Sequence, residues 1–78
     1  MHIETLVRMA NQIGDFFAAM PDRPQALEDI AMHIKRFWEP RMRREFLASF
    51  DSGNDIGLSG IVTEAVTRHR ALLAVKPA

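Results

Sequence analysis

The sequence is interrupted at three places through which a helix cannot run, and those places decide its architecture. Pro21 and Pro24 bracket Asp22, Pro40 follows Glu39, and Asp51-Ser52-Gly53-Asn54-Asp55-Ile56-Gly57 is an unbroken run of turn formers around one isoleucine. A proline ring inside a helix removes a hydrogen bond and strikes the preceding turn, and it pushes the residue before it out of the helical region. Four segments remain. Each repeats apolar residues at three-four spacing, the signature of an amphipathic helix, and none carries a strand signal.

In the first segment Ile3, Leu6, Val7, Ala10, Ile13, Phe17 and Met20 make one continuous face, which predicts a helix over about residues 2–19. Gly14 interrupts it at a cost of about 1 kcal/mol relative to alanine, which makes sense if another backbone or a bulky side chain packs closely there. Glu4 and Arg8 are spaced as an i,i+4 ion pair on the outer face. Phe16 and Phe17 are adjacent, so one of them widens the apolar face or is offered to a partner. The second helix, over about residues 23–38, opens with Asp22 as its cap, Pro24 in the first turn and Gln25 in capping-box register. Leu27, Ile30, Ala31, Ile34, Phe37 and Trp38 fall on its apolar face, while its outer face runs from acidic to basic, as the helix dipole favours. A third helix over about residues 41–50 turns Met42, Phe46, Leu47 and Phe50 inward and Arg41, Arg43 and Arg44 largely outward. Residues 51–58 are expected to form a mobile loop, and Ser59 to cap a last helix over about residues 60–74 that carries Ile61, Val62, Ala65, Val66, His69, Leu72 and Leu73. The tail at 76–78 is expected to fray. The fold class is therefore all-α, a compact single domain over residues 1–78 in which short connections pack consecutive helices together.

A chain of 78 residues buries only about 60–65 % of its unfolded surface, so a partner that covers more of it is one source of added stability. Cysteine is absent, which excludes disulfides and thiolate ligation of zinc or an iron–sulfur cluster by this chain. The first residues lack the basic and apolar regions of a secretory signal, and no apolar run approaches the roughly 20 residues that span a bilayer. The expectation is a soluble, cytoplasmic protein without a membrane partner.

Formal net charge is zero, yet five of the ten basic residues lie between Lys35 and Arg44 against one acid, Glu39. Asp15, Asp22, Glu28 and Asp29 lead up to that stretch, so the molecule has a basic corner, and the same corner holds the only tryptophan, Trp38. Arginine outnumbers lysine there four to one, and its planar fork suits bidentate pairing with carboxylates and stacking on aromatics in partly buried contacts. A solvated face and a phosphate-contacting patch are the competing readings, and the second of these makes a small helical nucleic-acid-binding module the alternative function. An acidic protein surface is the better fit, because nucleic-acid binders usually carry a net positive domain.

Catalytic patterns are missing. His2, His33 and His69 are far apart in sequence, and only Asp29 with His33 has metal-ligand spacing, a pair that on a helix face is more often simply solvated. There is no phosphate-cradling glycine loop, dinucleotide fingerprint or nucleophile elbow. Met9, Met20, Met32, Met42 and most of the phenylalanines are expected in the core. Phe16, Phe37, Trp38, Phe46 and Phe50 are nonetheless a large aromatic volume for so small a core, and another chain would account for the excess.

Met9-Ala10-Asn11-Gln12-Ile13-Gly14-Asp15-Phe16-Phe17, then Met20-Pro21-Asp22-Arg23, Asp29-Ile30-Ala31 and Phe37-Trp38-Glu39-Pro40-Arg41-Met42-Arg43 occur in that order, followed by Gly57-Leu58-Ser59 at the entry to the last helix. Over nearly the whole chain this pattern resembles the delta subunit of the soluble NAD-dependent formate dehydrogenases. The resemblance implies a small non-catalytic accessory subunit with no catalytic, cofactor-binding or metal-binding residues of its own. It also implies a large catalytic alpha subunit that carries a molybdenum or tungsten bis-pyranopterin and iron–sulfur clusters, with beta and gamma subunits handling FMN and NAD. The assembly interconverts formate and carbon dioxide, and the delta chain is expected to support its assembly or stability. The expected partner contacts are Phe37, Trp38, Glu39, Pro40, Arg41, Arg43 and Arg44, with Asn11, Gln12 and Phe16 as a second patch. A wholly core role for Trp38 is the competing expectation. Without a partner, the same apolar surface offers a route to self-association.

Overall fold

A computed structural model describes residues 2–76, so the expectations for Pro77 and Ala78 in the tail lie outside the described residues. Five helices follow one another: α1 (Ile3–Phe17), α2 (Arg23–Phe37), α3 (Pro40–Asp51), α4 (Gly60–Arg68) and α5 (Arg70–Leu73). No strand occurs among the described residues, and the all-α class read from the three-four periodicity holds.

The corners form where the prolines demand them. Asp22 is extended, and its Oδ1 accepts the Gln25 N–H at 3.2 Å while Pro24 occupies the first turn, where its missing donor is harmless. Gln25 does not complete the capping box; its side chain donates forward to Asp29 at 2.9 Å. Pro40 is the first residue of α3 and holds Glu39 extended, with ψ of 154°, and Trp38 before it is extended too, with ψ of 132°. Between α3 and α4 the chain reverses through Gly53 and Gly57, at φ 81° and 87°, a left-handed region that glycine enters without steric cost.

The last helix differs from expectation. It breaks at His69, whose φ of −112° and ψ of 28° end α4, and α5 sets off in a new direction. The bend turns Leu73 into the core, where it is 1 % exposed and packed in the same cluster as α2. Ser59 also departs from its expected role: it stands at the N-cap position of α4, but its hydroxyl makes no cap bond. The Glu4–Arg8 pair is not closed either; the ion pairs found among the described residues are Arg23–Glu64 and Arg70–Asp51. Exposed i,i+4 pairs are worth too little to hold two long side chains in one geometry.

Packing radiates from α2, which touches α1, α4 and α5. Leu6, Leu27, Ile30, Ile34, Phe46 and Val62 are fully buried in one contiguous cluster. At Gly14, α1 and α4 approach closely: a Cβ built on it would lie 2.5 Å from Val62 Cγ2 and 3.1 Å from Ile61 Cγ2. The close neighbour expected from the cost of a mid-helix glycine is α4.

Candidate functional site

One face of this bundle stays open. A groove of about 520 Å³ runs between α1, the C-terminal part of α2 and the start of α3, within the size range of protein binding pockets. From α1 come Met9, Gln12, Ile13, Phe16 and Phe17; from α2 and its cap come His33, Phe37 and Trp38; and α3 adds Met42. The lining is almost wholly apolar, and its two lips are Phe16 on α1, 75 % exposed, and Phe37 on α2, 70 % exposed. They are the large apolar side chains left most open to solvent.

Rings bridge the two lips. Phe16 meets Phe17 edge-on with centroids 5.0 Å apart, Phe17 lies 6.3 Å from His33, and His33 lies 4.7 Å from Phe37. Such edge-to-face and tilted spacings are favourable for aromatic pairs and hold the rings in place. Behind them Trp38 is 5 % exposed and meets Phe46 of the core edge-on at 5.3 Å. Trp38 therefore forms the floor that separates groove from core, and the adjacent Phe37 is the side chain on the outside. The two rings expected on one apolar face are separated: α2 ends at Phe37, Trp38 is its extended C-cap residue and is buried, and Phe37, still helical, faces solvent.

The remaining expected contact residues divide in two. Gln12, Glu39, Pro40, Arg41 and Arg44 are exposed. Asn11 and Arg43 are half-buried, and both are engaged within the chain. Asn11 Nδ2 donates to the Gly57 carbonyl at 3.0 Å and its Oδ1 accepts the Ser59 N–H at 2.8 Å, a pairing that also fixes which way the carboxamide points. Arg43 was expected to face largely outward, but its Nη1 donates at 3.1 Å to the Lys35 carbonyl in the last turn of α2, where helix carbonyls lack partners of their own. Sequence reasoning missed both roles, which join residues 46 or 48 and 8 positions apart.

Lys35, Arg36, Arg41 and Arg44 have no carboxylate within ion-pair distance among the described residues. Arg36 borders the outer side of the groove together with Phe37 and His33. Asp51 is different: the Arg70 guanidinium bonds to both its oxygens and holds its carboxyl below the usual aspartate range, while the same contact pushes Arg70 up. No three His, Cys, Asp or Glu side chains gather as a metal site among the described residues, and the Asp29–His33 pair is divided between Gln25 and the aromatic bridge.

The groove is thus lined mainly by apolar side chains, with cations that have no carboxylate within ion-pair distance nearby. Residues 5–66 match the protein family described as "NADH-dependant formate dehydrogenase delta subunit FdsD". The chain belongs to that family. No curated protein and no solved structure matches it. The family's matched span contains every residue of the groove and both members of the Asn11–Ser59 tie, so the open face and the closed seam both lie inside it. By its description the family is one subunit of a multi-subunit enzyme, and no described helix is long and apolar enough to cross a membrane.

Proposed function

We propose that this chain is a non-catalytic accessory subunit of a cytoplasmic NAD-dependent formate dehydrogenase, which docks on the large catalytic alpha subunit and supports assembly or stability of the holoenzyme. The observation that carries the reading is the groove: Phe16 and Phe37 stand exposed across an apolar hollow in a member of a delta-subunit family. Large exposed aromatics around a hollow are the residue type and shape of an interface anchor. The chemistry belongs to the partners. The molybdenum or tungsten bis-pyranopterin, iron–sulfur clusters, FMN and NAD sit in the alpha, beta and gamma subunits, and this chain, without cysteine, has no thiolate to offer a cluster. Its contacts are Gln12, Phe16 and Phe37 around the groove, with Trp38 as floor and Glu39, Pro40, Arg41 and Arg44 at the basic corner.

The test is to purify the enzyme through a tag on its large subunit from cells with and without this chain. Without it, the yield of assembled enzyme falls or formate-dependent NAD reduction decays faster on heating, while turnover per assembled, metal-loaded enzyme is unchanged. A fall in that turnover at full assembly overturns the non-catalytic reading, and absence of the chain from the wild-type preparation overturns the docking.

A further inference from the structure

We infer that the groove receives a single amphipathic helix of the partner subunit, anchored by apolar residues at three-four spacing and carrying carboxylates where it passes the basic corner. This rests on the accessory-subunit reading and adds to it the shape and charge of the segment that docks.

The walls set the shape. Met9, Gln12, Ile13, Phe16 and Phe17 follow one another at positions i, i+3, i+4, i+7 and i+8 of α1, so that wall is a straight helical stripe rising about 12 Å. A helix lying in the hollow presents its own i, i+3 or i+4, and i+7 side chains over about 10 Å, so three successive anchors match the length of the wall. An extended segment would gain most from pairing its backbone with a free sheet edge, and here both long walls are helices whose backbone groups are bonded internally. Recognition therefore runs through side chains.

Charge sets the flank. Arg36 lies just outside Phe37, Arg41 immediately precedes Met42 of the groove, and neither has a carboxylate within ion-pair distance among the described residues. Asp29 also borders the outer side near Arg36, but it accepts a hydrogen bond from Gln25. With five basic residues to one acid between Lys35 and Arg44, the corner is electropositive, and arginine forks match carboxylates on a passing helix. A second copy of this chain is the poorer occupant, because a two-fold contact through the groove brings two basic corners toward each other.

The experiment uses the assembled enzyme. Gln12, exposed and on the wall, is replaced by a photo-crosslinking benzoylphenylalanine, and the cross-linked peptide is identified after irradiation of the purified complex. The expected product joins one partner segment with apolar residues at three-four spacing and Asp or Glu beside them. Phe16→Ser and Phe37→Ser, exposed positions whose replacement leaves the helical fold intact by circular dichroism, each weaken retention in the complex by about tenfold or more. Arg36→Glu with Arg41→Glu weakens it several-fold, and a carboxylate-to-lysine change in the identified segment restores it. A cross-link to a second copy, to a segment without helical spacing, or to nothing while the chain remains bound overturns the inference and leaves the accessory-subunit reading standing. So does full retention of both serine variants. A chain that is absent from the purified enzyme overturns the accessory-subunit reading, and this inference with it.

Discussion

The two sides of α1 are finished in opposite ways. Toward α4 and the loop before it, the contact is close: Gly14 lets Val62 and Ile61 come within a Cβ's reach, and Asn11 satisfies one donor and one acceptor of the loop backbone. Toward the groove, on a different face of the same turns, Gln12, Ile13 and Phe16 line a hollow that no described residue fills. The closed side uses the smallest residue and a short, geometrically exacting amide. The open side uses bulky rings and a flexible glutamine. Close approach and directed hydrogen bonds suit a neighbour whose position is settled by the same fold, whereas broad apolar surface suits one that arrives separately.

Filling the closed side is the most damaging way to test this contrast. Gly14→Leu forces a side chain into space held by Val62, which is fully buried and, as a β-branched residue, stiff about χ1. The expected loss is about 2–3 kcal/mol by urea unfolding of the isolated chain, even after the gain in helix propensity. In a small domain, such a loss is a large part of the total stability. Gly14→Ala sharpens the point: it gains about 1 kcal/mol of propensity, yet an overlap at 2.5 Å makes the net change unfavourable. A more stable Gly14→Ala protein would show that α1 and α4 are not in contact as described.

Gly14 was legible in the sequence because a glycine inside a strong helical pattern needs a neighbour to explain it. The helices and the proline corners were legible for the same kind of reason, since three-four spacing and a ring without an N–H act locally. What was not legible lies across long separations or at helix ends. Nothing near Asn11 announces that Gly57 and Ser59 will meet its carboxamide, since the contact forms only after α1 and α4 have packed. The break at His69 has neither glycine nor proline to mark it, and it exists because Leu73 gains burial by turning inward. The order of Phe37 and Trp38 depended on where helical geometry stops.

Removing the amide of the closed side is a milder intervention. Asn11→Ala deprives the Ser59 N–H and the Gly57 carbonyl of their partner in a half-buried place, at an expected cost of about 1–2 kcal/mol. The loss is local, so amide hydrogen exchange should quicken first at Ser59 and through residues 53–58, while Ile30 and Ile34 in α2 keep their protection. Asn11→Asp separates the two bonds. A carboxylate still accepts from Ser59 but faces the Gly57 carbonyl with no proton to give, so at neutral pH it recovers part of the stability, not all. Uniform acceleration across α2 would instead mean that the tie is needed for the whole fold.

The smallest change in stability belongs to the open side, and its smallness is the informative part. Phe37→Ser and Phe16→Ser remove large apolar side chains, which in a core would cost several kcal/mol, yet both rings are mostly in water already. In the isolated chain each should alter unfolding stability by no more than about 0.5 kcal/mol, while retention in the enzyme falls sharply. Only the ring contacts of Phe16 to Phe17 and of Phe37 to His33 are lost. A loss of 1 kcal/mol or more in the free chain would mean that the rings fold over the hollow in solution. The groove would then be a loosely packed extension of the core, and α1 would have two closed sides of unequal quality instead of one closed and one open.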